Sequence, residues 1–215
     1  MIFTEKEISL LRDRVRGSLG EKRFLHTLGV EEMAVKVGRL CLPDRINELR
    51  VAALLHDISK EYSEAEHLEI AKRHNIRLSD EDIMSPPLWH SITAPLVLEE
   101  EYSDYATDDI KSAVRNHTTG SPDMSVFDEI ILLSDYIEEG RKHRNCIEVR
   151  EEFFDNASED FSTEQNILAL HVATLSSLDR NIKVFISKGV IYHSQTRLTR
   201  DAIFLKIERQ KNGSN

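Results

Sequence analysis

The stretch "VAALLHDISK" occupies residues 51–60. Val51 to Leu55 is entirely apolar, the composition of a helix buried on every side. It then runs into His56 and Asp57 side by side, with Lys60 three residues on. A core helix has no use for two adjacent groups that want water, a proton partner or a metal, because burying them unpaired costs several kcal/mol, about 2–7 even for a neutral polar group. What satisfies His56 and Asp57 decides both the fold and the function.

Outward from this stretch the periodicity is helical nearly everywhere, and alternating strand patterns are scarce. Helices are expected near 4–16, 21–40, 44–59, 63–74, 87–101, 107–117, 125–139, 146–156, 163–188 and 195–210. Thr4 with Glu7 and Ser63 with Glu66 have the spacing of capping boxes and mark two helix starts. Breaks fall at Gly17 to Gly20, Pro43, Pro86-Pro87, "TTGSPD" (118–123), Gly140 and Gly189, and Pro95 is expected to kink its helix. The fold class is therefore all-α: a single helical domain of about ten helices over residues 1–211, with a frayed tail at 212–215.

A chain of 215 residues has enough length for one sizeable core. It is 40% hydrophobic and 31% charged, and no window approaches the ~18 apolar residues of a membrane span. The start, "MIFTEKEISLLRDR", lacks the apolar centre of a secretion signal, so a cytoplasmic protein is expected, with no membrane partner. Cys41 and Cys146 are too few and too distant for a disulfide framework or a zinc knuckle and read as packing residues. The net charge of −10 argues against nucleic acid as a partner, since that binding neutralises many phosphates with Lys and Arg. A small anion remains compatible where cations concentrate locally.

Residues three, four, seven and eleven apart share a helix face. On that test His26 joins Val30, Met33 and Val37; His56 joins Leu49, Ala52 and Ala53; Asp57 follows Ala53 and Leu54. His90 precedes Ala94 and Val97, His117 closes the stripe of Ile110, Ala113 and Val114, and Asp135 follows Ile131 and Leu132. Six ionisable groups on five helices thus point inward and need partners, most simply one another. Nitrogen and hard oxygen donors of this kind suit a first-row transition metal, and six of them exceed what one open catalytic ion takes, which favours two metals bridged by a carboxylate. His171 also lies on an apolar stripe, but with no accompanying polar group apparent it reads as a core histidine. His67, His74 and His143 sit among charged residues and read as solvated, and His193 as part of a turn before the last helix.

The stretches "KRFLHTLGV" (22–30), "AALLHDISK" (52–60), the helix carrying His90, "RNHTTG" (115–120), "SDYIEEGR" (134–141) and "HSQTRLTRD" (193–201) together resemble the HD superfamily of metal-dependent phosphohydrolases, and within it the YqeK-type symmetrical diadenosine tetraphosphate hydrolases. The resemblance implies a di-iron centre held by His26, His56, Asp57, His90, His117 and Asp135, with manganese or zinc as alternative metals. It also implies cleavage of a dinucleoside tetraphosphate at its middle into two nucleoside diphosphates by a metal-activated hydroxide. Glu139 stands where the family tends to have proline after "DYIE", and Pro95 is uncharacteristic of the segment after His90.

For such chemistry Asp57 is the expected bridging carboxylate. Lys60, one turn beyond it, is the first candidate to neutralise the leaving group, and Arg23, one turn before His26, is the second. Thr118, Thr119 and Gly120 form a turn whose hydroxyl and backbone N–H groups suit a phosphate, and Arg141 and Arg200 complete the expected phosphate-binding set. Two other readings stay open: an HD phosphatase acting on nucleoside mono- or triphosphates, and a non-catalytic metal-containing nucleotide-sensing module. A homodimer is compatible with all three.

Overall fold

The computed structural model describes residues 3–190 and 192–213. Eleven α-helices and no strand occur among the described residues. They are α1 (Glu5–Ser18), α2 (Glu21–Cys41), α3 (Ile46–Leu55), α4 (Glu64–Arg73), α5 (Asp80–Ile83), α6 (Trp89–Glu101), α7 (Asp108–Asn116), α8 (Val126–Ile137), α9 (Arg144–Asn156), α10 (Thr163–Ser187) and α11 (Ser194–Gly213). Ten of these match the periodic segments, and the single turn of α5 adds to them. Ser79 and Asp82 close a capping box on α5 of the kind also formed by Thr4 with Glu7 and Ser63 with Glu66.

Helix α3 is the axis of the molecule. Leu49 and Val51 through Leu55 are all fully buried, as expected for a helix apolar all round. Helix α2 packs along it and along α8, while α1 and α7 cover other sides. Helix α8 is nearly as enclosed, with Phe127, Ile130, Ile131 and Leu133 in the same core and Leu132 packed with Met124, Ile203 and Ile207. Helices α9, α10 and α11 form an outer layer, α10 lying against α2, α8, α9 and α11.

Several expectations change. The helix expected over 44–59 stops at Leu55, and residues 56–62 turn through three short backbone bonds, Ile58 to Leu55, Lys60 to Asp57 and Tyr62 to Ser59. The unwinding begins at His56, so the His-Asp pair sits at a helix end inside the core. Helix α6, expected to kink at Pro95, is one helix through that residue to Glu101, with Ile92, Ala94, Val97 and Leu98 buried on both sides of the proline. Helix α11 runs to Gly213, so the first two residues of the tail expected at 212–215 are helical; residues 214–215 lie outside the described residues. Cys41 and Cys146 are buried free thiols. No helix among the described residues is long and apolar enough to cross a membrane.

Two histidines are placed differently from the sequence reading. His67 is buried, with Nδ1 2.8 Å from the Thr93 hydroxyl. His171 has a polar companion after all: its Nδ1 lies 2.8 Å from Oε2 of the fully buried Glu129, whose other oxygen accepts from Lys206 at 2.9 Å.

Candidate metal centre

Five elements deliver the six inward groups. His26 comes from the second turn of α2, His56 and Asp57 from the turn after α3, His90 from the start of α6, His117 from the C-cap of α7 and Asp135 from the last turn of α8. Each histidine is oriented through Nδ1. His56 uses the carbonyl of Ala53 at 2.7 Å, His117 that of Val114 at 2.7 Å and His90 that of Pro87 at 2.8 Å, every acceptor three residues earlier in the chain. A carbonyl accepts only, so Nδ1 carries the proton and the Nε2 lone pair of each ring faces inward.

The four Nε2 atoms converge on the two carboxylates. Asp57 Oδ2 lies 3.4 Å from His56 Nε2 and 3.9 Å from His26 Nε2, while its Oδ1 lies 3.3 Å from His90 Nε2 and 3.4 Å from His117 Nε2. Asp135 Oδ1 faces the first pair only, at 2.9 Å from His26 and 4.0 Å from His56. One carboxylate therefore touches two pairs of imidazoles with different oxygens. Donor atoms of His26, His56 and Asp135 form one compact group, and those of His56, Asp57 and His117 another.

Charge balance fits a cation. The Nε2 atom of His56 is buried without a hydrogen-bond partner, an arrangement that costs free energy unless a ligand completes it. Burial alone would raise the Asp57 carboxyl, but His56 and His117 hold it well below the usual carboxylate range. Asp135 is likewise lowered against the effect of burial, by its bond to His26 and by Arg141 and His56. His90 is pushed down to about 2 by burial, with His117 and Lys60 adding to the effect, which keeps it neutral as a metal ligand must be. The residues present fit a bound metal cation.

The expected phosphate-binding residues separate. Arg23 donates to Asp57 Oδ2 at 2.6 Å and Arg141 to Asp135 Oδ1 at 2.7 Å. Lys60 Nζ lies 3.1 Å from both ring nitrogens of His90, and burial lowers its pKa. Thr118 lines a cleft with His117 and Asp135, its hydroxyl bonded to Ser91 at 3.1 Å. Thr119 and Gly120 turn away into a separate hollow with Arg115 and Gln195. The Thr119 carbonyl accepts from Thr199, and Gly120, at φ +68°, approaches Thr199 so closely that a Cβ would lie 2.4 Å from its methyl group. Arg200 is bound by Asp179 at 2.9 Å and Asp201 at 3.1 Å and lines neither cleft beside the centre.

One residue at the centre escaped the sequence reading. Glu138, buried, places Oε1 3.2 Å from His26 Nδ1, and its Oε2 accepts from the Gly140 backbone N–H. Gly29 and Gly140 make the room: a Cβ on either would come within 2.6 and 2.8 Å of the Glu138 carboxylate. A carboxylate one helical turn after Asp135, in "DYIE", was the available signal.

Residues 23–140, which carry His26, His56, Asp57, His90, His117 and Asp135, match the HD domain. The chain belongs to the HD domain family. Its likeness to curated HD relatives extends beyond the HD domain itself. The symmetrical bis(5'-nucleosyl)-tetraphosphatase of Halalkalibacterium halodurans is 30% identical over 194 residues, covering 89% of this chain and 94% of that protein. The enzyme of the same name from Bacillus subtilis is 31% identical over 138 residues, covering 63% and 72% respectively. Among solved structures, an HD superfamily hydrolase from Clostridium acetobutylicum, described as involved in NAD metabolism, superposes with a TM-score of 0.79 at 29% identity over 96% of this chain and all of that one. The HD domain here is thus all-helical and that of a hydrolase, and its buried His/Asp cluster can hold metal.

Proposed function

We propose that this HD hydrolase cleaves dinucleoside tetraphosphates symmetrically, adding water across the central P–O–P linkage to give two nucleoside diphosphates. The observation that carries the reading is Asp57, whose two oxygens face separate pairs of histidines. The centre so divided lies between two clefts, one of about 490 Å³ beside His26 and one of about 370 Å³ beside His117 and Asp135, with Arg141 lining both. A substrate cut at its midpoint needs room on each side of the reacting phosphorus. The activity named for the relatives supports the same reading.

The chemistry supplied by two bound divalent cations, iron first and manganese or zinc as alternatives, is Lewis-acid activation of water and neutralisation of phosphoryl charge. His26, His56, Asp57, His90, His117 and Asp135 are the residues to hold them. The chain's own cations do the rest. Lys60, Arg23 and Arg141 surround the two carboxylates and are placed to bind phosphate oxygens and stabilise charge on the departing diphosphate. That leaving group is already a stable anion, so nearby positive charge serves it better than a proton donor.

The test is product analysis. Protein loaded with ferrous iron or manganese is expected to convert diadenosine tetraphosphate to ADP alone; AMP with ATP would overturn the symmetrical reading.

A further inference from the structure

The two clefts beside the centre differ in kind. The one beside His26 is lined by Lys22, Arg23, Glu61 and Arg141, charged side chains suited to phosphate, with the exposed Leu25 beside them and no side-chain amide. The one beside Asp135 is lined by Tyr136 and the amides of Asn145 and Asn181, with Leu132, Leu178 and the basic Arg141 and Lys188 around them. Among the described residues no hydrogen bond engages either of those side-chain amides or the Tyr136 hydroxyl, so their donors and acceptors are free for a ligand. At about 370 Å³ the cleft is within the ~300–1,000 Å³ typical of small-molecule sites.

An aromatic ring beside unengaged planar amides is the chemistry that recognises a nucleobase: the ring covers its face and an amide matches a donor–acceptor edge such as that of adenine. The charged cleft is lined by no tyrosine and no side-chain amide. We propose that the Asp135-side cleft is a nucleobase subsite read by Asn145 and Asn181, and that the His26-side cleft holds phosphate without reading a base. The enzyme then recognises one base of a two-base substrate. The inference rests on the proposed reaction for its choice of ligand, but the subsite can be tested without turnover.

Manganese-loaded protein is titrated with ADP and, separately, with pyrophosphate, for wild type and for Asn181→Leu and Asn145→Leu. Wild type is expected to bind ADP about tenfold more tightly than pyrophosphate, and each variant to lose about that factor for ADP while holding pyrophosphate unchanged. The pyrophosphate titration shows that a variant is folded and metal-loaded. In turnover, adenosine 5'-tetraphosphate, which carries one base, should match diadenosine tetraphosphate in KM to within about threefold. Unchanged ADP affinity in both variants, or wild type binding ADP no better than pyrophosphate, would overturn the subsite. A KM more than about tenfold lower for the two-base substrate would overturn single-base recognition. Asparagine-dependent ADP binding without any cleavage of diadenosine tetraphosphate would uphold the subsite and reject the proposed reaction.

Discussion

Glu138 Oε1 lies 3.2 Å from Nδ1 of His26, which makes His26 the one histidine of the four at this centre oriented by a carboxylate instead of a backbone carbonyl. A carboxylate behind an imidazole fixes its tautomer and raises its basicity, and loss of such a partner costs about 10–100-fold in metal affinity. Glu138→Gln is expected to weaken one of two metal equivalents by that factor and leave the other unchanged. Competition with a chelator, read by metal analysis, checks it; equal weakening of both sites would show that Glu138 supports the fold at large.

Asp57 touches both histidine pairs, so its loss should not be local. Wild type purified without chelator is expected to hold close to two metal ions per chain, and Asp57→Ala to lose both. Elemental analysis decides it. An Asp57→Ala protein that keeps one full equivalent would show that the two donor groups are independent.

Lys60 contacts His90 and lies within the field of Asp57 and Asp135. If it stabilises charge on the leaving diphosphate, Lys60→Met should lower kcat by about 10²–10³-fold. Metal content should stay at the wild-type value and Lys60→Arg should recover part of the rate. A Lys60→Met enzyme with normal kcat and raised KM would place the lysine in substrate binding alone.

The six inward groups were legible because each is a polar side chain on an otherwise apolar stripe, a pattern contained within one helix. What was misread depends on partners distant in the chain. His171 is paired with Glu129 and His67 with Thr93, separations of 42 and 26 residues that no local pattern reveals. The end of α3 at Leu55 was placed four residues late because no glycine or proline marks it; the chain unwinds where His56 and Asp57 must aim at one point. Glu138 is buried only by the tertiary approach of α2, through Gly29 and His26, which no pattern within its own helix reveals. Arg200, in a stretch that resembles the family, is held by Asp179 on α10, a pairing between neighbouring helices that the motif does not show.

Acidification gives a prediction with a definite sign. His90 titrates near 6.5 when unfolded and is pushed down to about 2 in the folded, metal-free protein, chiefly by burial. Between those values the unfolded chain binds a proton that the folded chain does not, so stability falls as pH is lowered from about 6.5, by up to about 1.4 kcal/mol per pH unit from this group. His56, which burial lowers but Asp57, Asp135 and the Ala53 carbonyl together raise, acts in the opposite direction, so the total is not the measure. The difference between wild type and His90→Gln is. In chelator-treated protein the variant should gain on wild type by about 1 kcal/mol per unit from pH 6.5 towards 4.5 in urea unfolding; a difference independent of pH would refute the burial argument.

Glu129, fully buried on α8, joins His171 of α10 and Lys206 of α11, and Lys206 also donates to the Met124 carbonyl at 2.6 Å. Removing one partner from a buried ionic group leaves uncompensated charge and costs about 3–5 kcal/mol, whereas removing the group together can be nearly neutral. Lys206 keeps 28% of its side chain exposed, so water takes up part of the loss and about 2 kcal/mol is the expected cost of Lys206→Met. Glu129→Leu strands two donors and should cost more. The double variant is expected to be less destabilised than the two single costs combined, the signature of direct coupling. Glu129 lies six positions before Asp135 on α8, on a different face of the helix. Metal content and kcat of Lys206→Met at low temperature should therefore match wild type while its unfolding midpoint in urea drops. Additive costs in the cycle would refute the coupling, and a kcat that falls with Lys206→Met would tie the outer layer of helices to the metal centre.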